Sequence, residues 1–149
     1  MTIYIGRADQ MLTGFVIGRT YTLSFDALAS VRDGCTVEIG TTQGDDDVLV
    51  ITTYGYPDAK SYSDTFEVPA QALWIGIEAD STKLSEFCDN SFDNISVAEG
   101  EAVEHVTNGT FDSGITGWTD NSSGGVPGNR TLICWVESIP GLALTFESY

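Results

Sequence analysis

Thr20-Tyr21-Thr22-Leu23-Ser24-Phe25-Asp26 decides the fold. Tyr21, Leu23 and Phe25 fall on every second residue, with small polar side chains between them. A strand throws successive side chains to opposite faces, so this segment reads as a β-strand with one face on a core. The same period spreads outward. Thr36-Val37-Glu38-Ile39 alternates, and Ser61 to Val68 alternates until Pro69 stops it. Leu73, Ile75 and Ile77 point one way, with Trp74, Gly76 and Glu78 on the other side. Val48-Leu49-Val50-Ile51-Thr52-Thr53 is apolar almost throughout and follows the turn Gly44-Asp45-Asp46-Asp47; its pattern predicts a strand covered on both faces. Phe92 to Val97 closes this first section. Turn residues recur roughly every ten positions, the rhythm of an all-β sandwich or barrel. One helical turn is expected, from Ser81 to Phe87.

Residues 98–107 are acidic and small, and read as a linker or a short exposed strand at Ala102 to Val106. Asn108 to Asp112 restarts the strand pattern, and Gly114 to Trp118 follows it. Asn121 to Asn129 is a Gly/Ser/Pro/Asn loop. Two more strands, Thr131 to Val136 and Leu142 to Phe146, flank the Pro140-Gly141 turn.

With 149 residues the chain has the length of one domain, 1–149. Its 42% hydrophobic and 19% charged residues describe a folded chain. Six basic against twenty-two acidic residues leave a net charge of −16, which repels phosphate backbones and anionic lipid. Nucleic acid and membrane surfaces are therefore not its expected partners. The N-terminus MTIYIGRADQ lacks a basic region followed by an apolar stretch, so Sec export is not expected. Cys35, Cys88 and Cys134 are widely spaced and His105 is the single histidine, which argues against zinc and for small buried hydrophobes. The N-x-[ST] patterns at Asn94, Asn108, Asn121 and Asn129 are read as incidental.

Three stretches carry a resemblance. Gly18 to Ala27, Phe92 to Val97 and Asn108 to Trp118 resemble segments of the carbohydrate-binding-module-like jelly rolls, the galactose-binding-like sandwiches. The resemblance implies an all-β jelly-roll sandwich of about 8–10 antiparallel strands. In that family the segment similar to Asn108–Trp118 opens the domain, whereas here it comes late. The order implies a circular permutation: 1–97 supply the later strands, 98–107 join the old ends, and 108–149 complete the sandwich. Completion of a neighbouring subunit by 108–149 is the rival reading, and a truncated second module the third.

The resemblance also implies sites. Such jelly rolls often hold a structural calcium where opening and closing strands meet, and the matching positions are Asp93, Asp112 and the Asn108 carbonyl. Backbone capping by the two aspartates is the competing role. Sugar rings stack on exposed aromatics, so Trp74, Tyr54, Tyr56, Tyr62 and Trp135 are glycan candidates, while Trp118 matches the family's core tryptophan. No cofactor is required. No nucleophile elbow, GxGxxG or GxxxxGK[ST] occurs, and nothing singles out one pair of acids, so no enzymatic activity is expected.

Modules of this type occur in secreted glycoside hydrolases and in phage virion proteins. The expected function is a non-catalytic structural virion protein, a capsid decoration (cement) or tail accessory protein assembled in the host cytoplasm. Its partners would be capsid or tail subunits, its form a homo-oligomeric trimer or dimer, and its contact regions 98–107 and 121–129. The alternative is a carbohydrate-binding module or adhesin for host glycans.

Overall fold

In a computed structural model, which describes residues 4–28, 35–53, 60–81, 90–113, 115–121, 133–135 and 144–147, the chain forms two antiparallel sheets packed face to face. The strands are β1 (Tyr4–Thr13), β2 (Thr20–Leu28), β3 (Cys35–Gly40), β4 (Leu49–Thr53), β5 (Lys60–Glu67), β6 (Ala72–Ser81), β7 (Asn90–Ala98), β8 (Thr119–Asp120), β9 (Ile133–Trp135) and β10 (Leu144–Glu147). The first sheet runs β4-β3-β6-β1-β8 and the second β5-β2-β7-β10-β9. Every pairing among the described residues is antiparallel, and the chain crosses repeatedly between the two sheets. The expected all-β sandwich is therefore observed. No helix among the described residues is long and apolar enough to cross a membrane.

The period of two builds the core. The first sheet sends Ala8, Leu12, Val37, Ile39, Leu73, Ile75 and Ile77 inward, and the second answers with Tyr21, Leu23, Phe25, Phe66, Phe92, Ile95 and Val97. Each large side chain so buried contributes about 1.5–3 kcal/mol, which is what drives the two faces together. Phe92 and Ile95 both face inward with two residues between them, so alternation breaks. Asn94 absorbs the extra residue at φ +52°, and the β2–β7 register slips between Ser24 and Asp26. Asp93 keeps its pairing with Asp26, so the bulge falls at Asn94 and Ile95.

Residues 99–113 and 115–118 close the core without strands. Residues 99–102 turn and 103–106 run irregularly, so the short strand expected at Ala102 to Val106 does not form. The strand pattern expected from Asn108 is replaced by turns, with Asn108 at φ +53°, Phe111 at +55° and Gly117 at +88°. Phe111 and Trp118 nonetheless enter the core, 1% and 6% exposed, with ring centroids 5.5 Å apart. Gln10, facing inward from β1, staples these turns: its amide donates to the carbonyls of Thr107 (2.9 Å) and Gly117 (3.1 Å) and accepts from the Thr107 amide (2.7 Å).

Two further expectations change. β4 is an edge strand, not one covered on both faces: its residues alternate in burial and Val50 is 49% exposed. The apolar run reflects β propensity there, since Val50 on the outer face meets solvent. Ser81 closes β6, and the rest of the expected helical turn lies outside the described residues.

Candidate functional site

The outer face of the first sheet carries the densest polar construction among the described residues. Arg7 and Asp9 on β1, Glu38 on β3, and Trp74, Gly76 and Glu78 on β6 all point away from the core. The register sets Arg7 opposite Glu78, both Asp9 and Glu38 opposite Gly76, and both Met11 and Gly40 opposite Trp74. The missing side chain at Gly76 makes room for the Arg7 guanidinium. A Cβ there would lie 2.5 Å from Arg7 Nη2 and 2.9 Å from Asp9 Oδ1.

Arg7 donates to Asp9 Oδ1 (2.7 Å), to Glu78 Oε2 (2.9 Å) and to Glu38 Oε1. Asp9 also accepts from Asn121 Nδ2 (2.6 Å) and Gln43 Nε2 (3.4 Å), which leaves it 1% exposed although it faces outward. Gln43 belongs to the 41–47 loop, which folds back over β3: a Cβ on Gly40 would meet the Asp45 carbonyl oxygen at 2.0 Å. Within that loop Asp47 accepts from the amide and hydroxyl of Thr41, both at 2.7 Å, which lowers its pKa. The Asp45-Asp46-Asp47 run therefore serves loop closure in part.

Burial opposes the charge of Arg7, but the hydrogen bonds and attraction of Asp9 and Glu38 exceed it and raise its pKa, so the guanidinium stays charged. Glu38 shows the reverse balance. Burial raises its pKa, Arg7 pulls it down, and Glu78 and Asp46 push it up again, with a net rise. One cation among three carboxylates makes this face a fixed, electronegative surface. Half-buried Trp74 stands beside it, with Met11 54% exposed across the register.

The calcium candidates meet at the second sheet. The Ile95 amide donates to the Gly109 carbonyl (3.0 Å), so the segments around Asp93 and Asp112 adjoin. Burial raises the Asp93 pKa; the Asn94 amide (2.8 Å) opposes that, and repulsion from Asp26 and Asp112 adds to it. Asp26 is lowered by hydrogen bonds from Ser61 and Asn94. Asp112 accepts from Thr110 Oγ1 (2.8 Å). Asn108 does turn-building work: its carbonyl accepts from the Phe111 amide (3.2 Å) and Trp118 Nε1 (3.4 Å), and its side chain bonds the Ser113 amide and the Thr116 carbonyl, both at 3.2 Å. Among the described residues no group of three or more His, Cys, Asp or Glu could hold a metal. A calcium ion here would have to draw on backbone oxygens beside the two carboxylates.

Of the glycan candidates, Trp74 is on the outer face. Tyr62 faces the core side and stacks on Phe25, centroids 5.4 Å apart, so it is a packing residue. Trp135 lies in β9, and Tyr54 and Tyr56 lie outside the described residues, as does 122–129. His105 is held by packing, its Nδ1 donating to the Thr13 carbonyl (2.8 Å) and its ring stacked on Phe15 at 4.3 Å. The Arg7 cluster was missed in the sequence; an arginine in an acidic chain, flanked by outward-facing acids on alternating segments, was the available signal.

No family model, no curated protein and no solved structure matches the chain.

Proposed function

We propose that this chain is a non-catalytic structural protein of a virus particle, a capsid decoration or tail accessory protein assembled in the host cytoplasm and held by other virion subunits. The observation that carries the reading is an exposed apolar end. Val16, Ile17 and Val103 are 50%, 59% and 75% exposed. Their two loops are tied together by the Arg19–Glu99 ion pair (3.1 Å) and the His105–Thr13 hydrogen bond. Large apolar side chains gathered on adjoining loops mark a contact surface. The net charge of −16 would keep decorated particles apart. Assembly as a trimer or dimer, and the circularly permuted strand order, belong to the same reading. Quantitative mass spectrometry of purified particles tests it. A decoration protein appears in fixed ratio to the major shell subunit, and a tail protein in a few copies. Its absence from particles overturns the proposal.

A second reading is favoured by Trp74. A half-buried indole beside preorganised carboxylates and amides has the form of a sugar platform, and the face would then recognise host glycans, with Tyr54 and Tyr56 as further candidates. Trp74→Ala is expected to abolish glycan binding in titration calorimetry while the melting temperature holds. Unchanged binding, or no glycan bound by the unaltered protein, rejects it. Structural calcium at Asp93 and Asp112 stays part of the proposal, supported by the adjoining of their two segments at the Ile95–Gly109 hydrogen bond and by the repulsion that Asp26 and Asp112 exert on Asp93. A melting temperature insensitive to chelator removes it.

A further inference from the structure

The apolar end also carries an open cleft of about 430 Å³, lined by Gly14, Tyr21, Glu99, Ala102, Val103 and His105. That lies within the usual range of roughly 300–1,000 Å³ for ligand pockets and is ample for one large side chain. Its walls are fixed before any partner arrives. The His105 ring is stacked on Phe15 and meets Tyr21 edge-on at 5.4 Å. Gly14 turns the chain beside that ring at φ +87°, a conformation that L side chains rarely adopt. Glu104 accepts from the amides of Val97 and Val106, both at 2.8 Å, and so clamps the loop to β7. A preformed site spares a partner the cost of ordering it.

The rim is acidic. Glu99, Glu101 and Glu104 lie on the loop, with Arg19 as the cation paired to Glu99. A second copy of the chain would bring another −16 to this end, whereas a basic partner would be steered towards it. Resting on the structural reading above, we propose that this cleft seats an aliphatic side chain from a basic segment of another virion subunit, with Lys or Arg on either side of it meeting the acidic rim.

The probe is a short capped peptide of alternating Lys and Leu, titrated by fluorescence anisotropy at about 0.15 M salt, where long-range attraction is screened. Two controls replace its Leu with Ser or its Lys with Glu. Val103→Asp, at a site 75% exposed, leaves the fold intact and is expected to weaken binding about tenfold, the scale of an interface hot spot. Val50→Asp on β4 adds the same charge outside this surface and is expected to leave binding within about twofold. Both control peptides should lose binding. Equal weakening by the two variants, equal binding of the Ser peptide, or no binding at all overturns the inference. So does a light-scattering mass above one chain that Val103→Asp returns to a monomer, since the occupant is then a second copy. A protein present in particles that fails this titration refutes the inference alone; one absent from particles refutes the structural reading itself.

Discussion

At Arg7, one side chain 14% exposed faces three carboxylates, two of them on other strands, Glu38 and Glu78. Replacing a whole buried ion cluster with apolar groups often costs little, but removing one partner strands the others. Arg7→Met is therefore expected to destabilise the protein by about 3–5 kcal/mol at neutral pH, read from urea unfolding. The loss should shrink below the carboxylate range, where the stranded acids can protonate. An unchanged midpoint would mean that the cluster is solvated and interchangeable. Asp93 gives a second prediction with a definite sign. Its folded pKa is raised above 3.8 by burial and by Asp26 and Asp112, so below that value both states are protonated and the group costs nothing. As pH rises through the folded pKa, the native state loses stability. In chelator, Asp93→Asn should match the unaltered melting temperature near pH 3 and exceed it at pH 7. A deficit at pH 7 in chelator would show that a group of the protein itself uses the Asp93 charge, and would contradict the prediction. The alternation of β2, β3 and β6 was plain in the sequence because each strand carries its own period. The Arg7 cluster was not, since its bonds to Glu38 and Glu78 span 31 and 71 residues of chain.

Elements show the same division between local and distant causes. β1 escaped the sequence reading because its outward residues Arg7 and Asp9 are buried by partners, and its inward Gln10 is polar. Gln10 is there to bind Thr107 and Gly117, contacts that no periodicity reports. The strand pattern at Asn108 to Asp112 gives way to turns, yet Phe111 and Trp118 still reach the core. Gly109 shows why a turn was required. Its carbonyl accepts from the Ile95 amide, and a Cβ at this position would lie 1.9 Å from the Ile95 carbonyl oxygen. Gly109→Ala must push backbone away from backbone, and is expected to destabilise by about 3 kcal/mol or more in thermal melts. A loss under about 0.5 kcal/mol would mean that the two segments are not in contact. The junction holds the segments around Ile95 and Gly109 side by side.

On the scale of the whole molecule, the sandwich presents two unlike surfaces. The outer face of the first sheet is a fixed electronegative surface with Trp74 in it. The loop end is apolar, hollow and rimmed with acid. The sequence pointed to Trp74 through its phase against Leu73 and Ile77, and to 98–107 through composition. Neither could reveal the cleft, which exists only because the loop after β7 packs against the turn after β1. The most direct measurement is re-addition of purified protein to particles lacking it, followed by co-sedimentation. The account predicts that the unaltered chain pellets with the particles to a saturating ratio, while Val103→Asp stays in the supernatant. Equal pelleting of both, or of neither, would contradict it.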